Sequence, residues 1–340
     1  MTAKKPSTSR RTFVKGTAAS AAIAPFFIGR SAKAAYEAKT VKMMSVAPAN
    51  TPWSALALKF KKHLEKSSEG QLKAKFYGGG VSGSELETLK ACADGRVECW
   101  AGSMGAAASI ASAVGATELP YLFKNPKAAY KSMTANRQLF HDIFWDAGFK
   151  LVMFAENGVR EIGTTGFEVN TPADLKGRKI RVQESKIHAD FFNAAGASTV
   201  QMGITEVLSS LQTKVVEGMD NTKLYAQAMG AFGTLTHWSE TQHIYQPAVI
   251  LFSRKGFWDN LPTELQEAIA LDSKDVLKME NRGMRSIWAL NGQLKQNLLD
   301  MNITVTEPDL GPWQKLAGGV HKKFEKRATK QGVALLKALR

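Results

Sequence analysis

The chain has 340 residues, 44% of them apolar and 22% charged, with 45 Lys and Arg against 30 Asp and Glu and a formal net charge of +15 at pH 7. Seven of the basic side chains (Lys4, Lys5, Arg10, Arg11, Lys15, Arg30, Lys33) fall in the first 34 residues, which carry no acid, so the rest balances at 38 against 30, or +8. That excess is scattered over predicted helix surfaces such as Lys59, Lys61, Lys62 and Lys66, with no aromatic-interleaved basic run, which excludes nucleic acid as a partner and leaves a mild positive field that draws anions.

Ser9-Arg10-Arg11-Thr12-Phe13-Val14-Lys15 reads as a twin-arginine export signal, followed by an apolar stretch from Gly16 to Gly29 and a small-residue cleavage site at Ala32-Lys33-Ala34. The stretch is too short, and too rich in Ala, Gly, Ser and Thr, for a membrane anchor. The expectation is a signal peptide over residues 1–34, export of the folded chain by the twin-arginine machinery, and a mature protein that begins near Ala35 in the periplasm. The remaining 306 residues exceed what one core usually covers, so two lobes are expected.

Thr40 to Val46 alternates as a strand, and Pro48 to Pro52 turns it into a helix with Leu56, Phe60 and Leu64 on one face. Leu72 to Tyr77 is a second strand, ended by Gly78-Gly79-Gly80. No Gly-Lys-Ser/Thr follows, so these glycines form a turn rather than a phosphate loop, and Ser84-Glu85-Leu86-Glu87 is a capping box opening the next helix. Asp94-Gly95 closes that helix, Val97 to Ala101 is a strand, and Gly102 to Gly105 the loop past its end. Cys92 and Cys99 can bridge in an oxidising compartment, although a late-helix position and a strand after a tight turn set their Cα atoms apart. Lys150 to Phe154 carries the chain toward a second lobe, with Asn157-Gly158 as a turn at the crossing and Arg160 beyond it.

Asn170 to Leu175 reads as one helical turn capped by Asn170 or Thr171, started by Pro172 and stopped by Gly177. The strand Lys179 to Val182 then points Ile180 and Val182 to one face and Arg181 to the other, so a guanidinium stands where a strand leaves its sheet. A helix from Ser185 to Ala195, a strand to Val200, a helix capped by Thr205, and a strand Val215 to Met219 follow, the last delivering Asp220-Asn221. This alternation predicts an α/β lobe with a parallel sheet. His237 to Phe252 returns the chain to the first lobe. Pro262 to Met301 carries one helical pattern, Thr304 to Thr306 a last strand, and residues 311–340 a helical tail.

Three motifs stand in order over 65 residues: NGVRE at Asn157, TPADLKGRKIRV at Thr171, and EVLSSLQTKVVEGMDN at Glu206. In spacing and content they resemble the solute-binding proteins of the tripartite ATP-independent periplasmic (TRAP) transporters, in the branch that takes C4-dicarboxylates, sialic acid and other organic acids. The likeness extends more weakly over nearly all of the mature chain. It implies a two-lobed periplasmic-binding-protein fold of type II-like α/β architecture with a long helix packed along both lobes. Lobe I is expected over 35–157 plus 247–286, and lobe II over 158–246 plus 287–340.

The same resemblance implies the site. Arg181 matches the family arginine that bridges a solute carboxylate, Arg160 a second arginine near the ligand, and Asn221 an amide that also bonds it. The guanidinium fork fits a carboxylate's two oxygens as an ammonium cannot. Ser103, Tyr245, Trp53 and Ile204 are expected in the rest of the wall, with Trp53 weighed equally as a core residue at a helix start. Gly102 stands where sialic-acid binders carry a glutamate, which argues against that solute and leaves room for a different one, bulkier or more apolar; taken with the Trp and Met residues nearby it tilts the reading toward a compact or partly apolar acid. The expected partners are a small-molecule carboxylate and the small and large membrane subunits of a TRAP transporter.

No catalytic residue, cofactor or metal is expected. The six histidines form no H-E-x-x-H or H-x-H pair, and no G-x-S-x-G, G-x-G-x-x-G or Walker sequence occurs. The competing readings are a receptor serving an ATP-driven importer or a sensor kinase, a structural periplasmic protein, and a periplasmic enzyme.

Overall fold

The computed structural model describes residues 39–270 and 273–340, so the expected export signal lies outside the described residues. The chain begins with β1 (Lys39–Met44), α1 (Pro52–Ser67), β2 (Leu72–Tyr77), α2 (Glu85–Ala93), β3 (Cys99–Ser103) and the single turn α3 (Met104–Ala107). Two helices, α4 (Pro126–Ala135) and α5 (Arg137–Asp146), lead to the long strand β4 (Phe149–Thr164). Next come β5 (Lys179–Val182), α6 (Lys186–Ala194), β6 (Ser198–Gln201), α7 (Ile204–Gln212), β7 (Gly218–Asn221) and α8 (Lys223–Ala228). A second long strand, β8 (His237–Ser253), is followed by α9 (Thr263–Ile269), α10 (Ser273–Asp300), β9 (Thr304–Thr306), α11 (Gly311–Arg327) and α12 (Lys330–Leu339).

Local chemistry explains the helix starts. Thr51 and Ser54 exchange reciprocal capping bonds of 3.2 Å ahead of Pro52, and α1 then buries Trp53, Leu56, Phe60 and Leu64 on one face. Ser84 and Glu87 repeat the device at α2. Thr205, in contrast, lies inside α7; Gly203 occupies the extended cap position instead.

The described strands form one mixed sheet in the order β2-β1-β3-β8-β4-β7-β5-β6, with β9 beside β8. Its two ends are parallel βα layers, β1 with β2 and β3, and β5 with β6 and β7. Between them β4 and β8 run antiparallel through both ends, giving a two-lobed α/β fold on a shared sheet. Asn157-Gly158 is therefore part of a continuous strand rather than a turn. The bend comes from register shifts at Leu151/Met153, Glu156/Gly158 and Arg160/Ile162, with Gly158 at φ 100°. Such bulges bend a strand and re-aim its side chains, and here they flank Arg160.

The helical pattern after Pro262 divides into α9 and α10. With 28 residues, α10 spans about 42 Å. Gly283 lets it approach Leu56 of α1, and its Ile287 and Leu294 pack with Leu224 of α8, so it runs against both ends of the sheet. Its Glu280 accepts from Arg137 at 2.6 Å, from the Phe154 amide at 2.7 Å and from the Tyr130 hydroxyl at 2.9 Å. Near its other end Lys295 donates to Glu240 at 2.8 Å. No described helix is long and apolar enough to cross a membrane. Cys92 and Cys99 are free, buried thiols that burial holds well above the usual range, which makes them poor nucleophiles.

Candidate functional site

Three adjacent strands bring the predicted polar residues together. Register sets Glu161 opposite Asn221 and Arg181 opposite Met219, so Arg160 of β4, Arg181 of β5 and Asn221 of β7 converge at one place. They line a cavity of about 30 Å³, roughly the volume of one water, shared with Ser103 and Ile204. Five of the seven predicted binding residues therefore share one cavity. Trp53 is buried in the core under α1, and Tyr245 donates its hydroxyl to Glu156 at 2.8 Å; neither is in the lining.

The two arginines differ in what they touch. Arg160 has its Nε 2.9 Å from Asp220 Oδ2 and its Nη2 2.5 Å from Asp220 Oδ1 and from the Asp220 carbonyl. Its Nη1 donates to Gln246 Oε1 at 2.8 Å and Gln183 Oε1 at 3.3 Å. Arg181 bonds only main-chain oxygens: Met202 O from Nε at 3.2 Å and Nη2 at 2.9 Å, and Asp220 O from Nη1 at 3.4 Å. It is 2% exposed and forms no ion pair with any carboxylate among the described residues. Burial, with the Arg160 guanidinium beside it, pushes its pKa down to about 10, which still leaves it charged at neutral pH. A guanidinium has five N–H donors and three are engaged, so roughly two remain for a solute.

Behind the arginines lies a buried ionic chain. His188 bonds Asp220 Oδ2 through Nδ1 and Glu118 Oε2 through Nε2, both at 2.7 Å, and Glu118 Oε1 accepts from the Gly105 amide at 2.7 Å. Burial alone depresses the imidazolium of His188, but Asp220 and Glu118 outweigh it and raise its pKa. Burial alone would likewise raise Asp220, yet Arg160 and His188 overcome that cost and hold it well below the carboxylate range. His243 Nε2 is 3.7 Å from Asp220, beyond hydrogen-bond reach, and its ring stacks on Phe191; burial lowers it to about 4. Gly105 is required here, because a Cβ would lie 2.3 Å from Glu118 Oε2 and 2.6 Å from Gln183 Nε2. Among the described residues no group of His, Cys, Asp and Glu is arranged to hold a metal ion.

The opposite wall carries a residue whose sequence context marks only a helix start. Glu85 lines the cavity with Val46, its Oε1 accepting from the Ser103 amide at 2.8 Å and its Oε2 from the Ser103 hydroxyl at 2.9 Å. The space at Gly102 is filled: a Cβ there would meet the Trp100 ring at 2.3 Å and Glu85 Oε1 at 2.8 Å. Gly102 thus admits Trp100 and Glu85 and does not open room for a larger solute. Asn157 Oδ1 is buried without a hydrogen-bond partner, and Asn221 Nδ2 has only the Met229 sulfur at 3.9 Å. Tyr225, also in the lining, has its hydroxyl held well above the usual range by burial and by the nearby Glu85 carboxylate. Of these, Gln183 and His188 carried no motif of their own, Glu85 marked only a helix start, and Asp220 stood in the third motif without an assigned role.

Two elements meet beside the cavity. A Cβ on Gly80 would lie 2.6 Å from Thr205 Cγ2, a Cβ on Gly203 3.1 Å from Ser84, and Gln183 Nε2 donates to Ser103 Oγ at 2.8 Å. The glycine turn after β2 and the start of α7 therefore touch. A larger groove of about 230 Å³ lies between Arg137 and Trp258, but its Arg137 is already paired with Glu280.

Residues 43–327 match the family model described as "Bacterial extracellular solute-binding protein, family 7". A "Solute-binding protein" of Chromohalobacter salexigens is 24% identical over 304 residues, 89% of each chain. The "C4-dicarboxylate-binding periplasmic protein DctP" of Rhodobacter capsulatus is 26% identical over 330 residues, 91% of this chain and 93% of that one. Among solved structures, a TRAP periplasmic solute-binding protein from Sulfitobacter sp. NAS-14.1 with bound β-D-galacturonate superposes with a TM-score of 0.83, at 21% identity, over 89% of this chain and 99% of that one.

Proposed function

Because the chain belongs to family 7 of the bacterial extracellular solute-binding proteins, whose members work in the periplasm, we propose that it captures an organic acid in the cleft around Arg181. The observation that carries this is a buried guanidinium that faces a cavity and has no carboxylate paired to it. A protein that leaves such a charge unpaired keeps it for an anion. Main-chain oxygens of Met202 and Asp220 hold the fork in place, and the Asn221 amide adds a donor with only a weak partner. Arg160 supports the clamp from behind, and Ser103 and Ile204 complete the wall.

Neighbours of the same fold are described with bound galacturonate, glucuronate and erythronate, and relatives as binding C4-dicarboxylates, all of them carboxylates. Delivery to the small and large membrane subunits of an ion-gradient-driven TRAP transporter follows the same likeness. Lobes split near residues 157 and 247 are supported by the bulge at Glu156/Gly158, where β4 pairs with Pro247. Closing them around a solute removes water and strengthens each charged contact. Its relatives are described as binding proteins, and on that likeness the bound acid leaves unchanged.

Calorimetry with a panel of organic acids tests the clamp. Arg181→Ala is expected to lose about 2–5 kcal/mol of solute binding, the range for truncating one side of a buried charge pair, and Arg181→Lys to recover little of it. An alanine variant that binds within a few-fold of the parent removes the assignment.

A further inference from the structure

We propose that the C-terminal helical pair is a docking face for an anionic phospholipid surface, with Lys315, Lys322 and Lys326 of α11 at its centre. The charge left after residues 1–34 is less scattered than the α1 lysines suggest. Residues 311–340 hold eight Lys and Arg side chains against Glu325 alone, a net +7, whereas residues 35–310 balance at 30 against 29.

Helix periodicity sets these charges on one side. α11 buries Trp313, Ala317, Val320 and Phe324, and Lys315, Lys322 and Lys326 each follow a buried residue by two positions, roughly 200° round the helix and so on the solvent side. α12 repeats the pattern: Leu335, Leu336 and Leu339 are buried, and Lys330 and Lys337 face out. Three of the eight cations are engaged, since Lys323 and Arg327 hold Asp190 and Arg340 holds Glu325 at 2.6 Å. The other five, Lys315, Lys322, Lys326, Lys330 and Lys337, are exposed and pair with no acid among the described residues.

The arrangement works against the isolated chain. Lys322 and Lys326 stand four residues apart, a like-charge spacing that weakens a helix, and Lys330 puts a cation on the first turn of α12, against the helix dipole. An anionic surface answers all five charges at once. Lys322 also lines a groove of about 430 Å³ with Pro120, Tyr121 and His321, a recess for a headgroup phosphate; its one acid, Glu325, is neutralised by Arg340. An acidic protein would need carboxylates placed to match each cation. Lysines are point charges on flexible stems, which suits a lipid surface with no fixed partner geometry.

Vesicle co-sedimentation of the chain from Ala35, freed of the basic residues before it, decides the matter. Binding is expected at low salt to phosphatidylcholine vesicles that contain phosphatidylglycerol, and not to phosphatidylcholine alone. It should vanish at about 1 M salt, where charges act over only about 3 Å. One basic side chain near an anionic surface is worth about fivefold in partitioning, so Lys315→Gln, Lys322→Gln and Lys326→Gln combined should lower it roughly 100-fold. Lys330→Gln with Lys337→Gln should lower it roughly 10- to 30-fold on the same scale, and serves as the second variant. Melting temperature and solute calorimetry should match the parent in both, because none of these side chains lines the Arg181 cavity. Removing three exposed lysines of α1 instead, by Lys59→Gln, Lys62→Gln and Lys66→Gln, should change binding by less than about threefold, as charges beyond a screening length contribute little. Equal losses from α1 and α11 would mean attraction by net charge alone and overturn the docking face. Equal binding to neutral vesicles overturns it too, and so does no vesicle binding at all, which would assign the lysines to an acidic protein or to solvent.

Discussion

Around Arg160 every donor ends on a side-chain or carbonyl oxygen, and the Asp220 carboxylate that neutralises it is shared with His188; around Arg181, two strand pairings away across β7, only main-chain oxygens accept hydrogen bonds. Both side chains are at most 2% exposed as residues. The difference is what a buried charge has been given to face. A fully bonded guanidinium is part of the framework, whereas one held by dipoles on one side is an electrostatic demand that a solute meets. The cleft needs both: the satisfied arginine fixes the ends of β4 and β7, and the unsatisfied one stands on the strand between β7 and β6.

The largest test of that contrast is stability. Arg160→Ala strands the Asp220 carboxylate and the oxygens of Gln183 and Gln246, and is expected to cost about 3–5 kcal/mol in urea unfolding, the range for breaking a buried pair by removing one partner. Arg181→Ala, with no ion pair to break, should cost less than Arg160→Ala while it weakens binding, because it frees only the main-chain oxygens of Met202 and Asp220 and removes a desolvated charge. Equal destabilisation by the two changes would erase the distinction between framework and clamp.

Protons sharpen it next. His188 has a folded pKa raised above its unfolded value near 6.5, so its contribution is full below that value and is lost as pH rises through the folded pKa. His243 is lowered to about 4, so its contribution is present above pH 6.5 and is lost as pH falls toward 4. Two imidazoles near one aspartate thus oppose each other, so their joint contribution is greatest near pH 6.5, and the Glu156 carboxyl, pushed up to about 8 by burial, adds its own loss as pH rises. A tenfold change in proton affinity between folded and unfolded chains is worth about 1.4 kcal/mol, so the fall on either flank is measurable. His188→Gln should flatten the alkaline flank alone. A melting temperature still rising at pH 8 would mean that His188 is not held as a cation between Glu118 and Asp220.

How much of this was legible in the sequence divides along the same line. Arg181, Arg160 and Asn221 were singled out by the likeness of their motifs to a known family, strand alternation adding only that Arg181 faces away from Ile180 and Val182, and the sheet register brings the three to one cavity. The helix cap at Ser84 and the order of strands and helices were readable from local signals, whereas the cap at Thr51 was read only as part of a turn. What was not readable is pairing at long range. That Asp220 neutralises Arg160 depends on a contact across 60 residues, and that Glu85 meets Ser103 on one across 18. Glu85 was also hidden by its neighbours, since Ser84 and Glu87 explain the helix start without it. The bulges that keep β4 continuous depend on its register with β8, whereas Asn-Gly read locally is a turn signal.

The smallest effect makes the finest test. Asn157 lies beside the cavity with a buried Oδ1 that nothing bonds, so truncating it removes no intramolecular hydrogen bond. Asn157→Ala should leave unfolding within about 0.5 kcal/mol of the parent and weaken the solute by about 0.5–1.5 kcal/mol, the net worth of one hydrogen bond. Gln183→Ala is the control on the Arg160 side. Gln183 accepts from Arg160 and from Gln246 and donates to Ser103 at 2.8 Å, so its loss should lower stability by about 1–3 kcal/mol whether or not solute is present. If Asn157→Ala instead unfolds the protein as readily as Gln183→Ala, the free oxygen serves the fold, and the line between solute-facing and framework groups must be redrawn through Asn157.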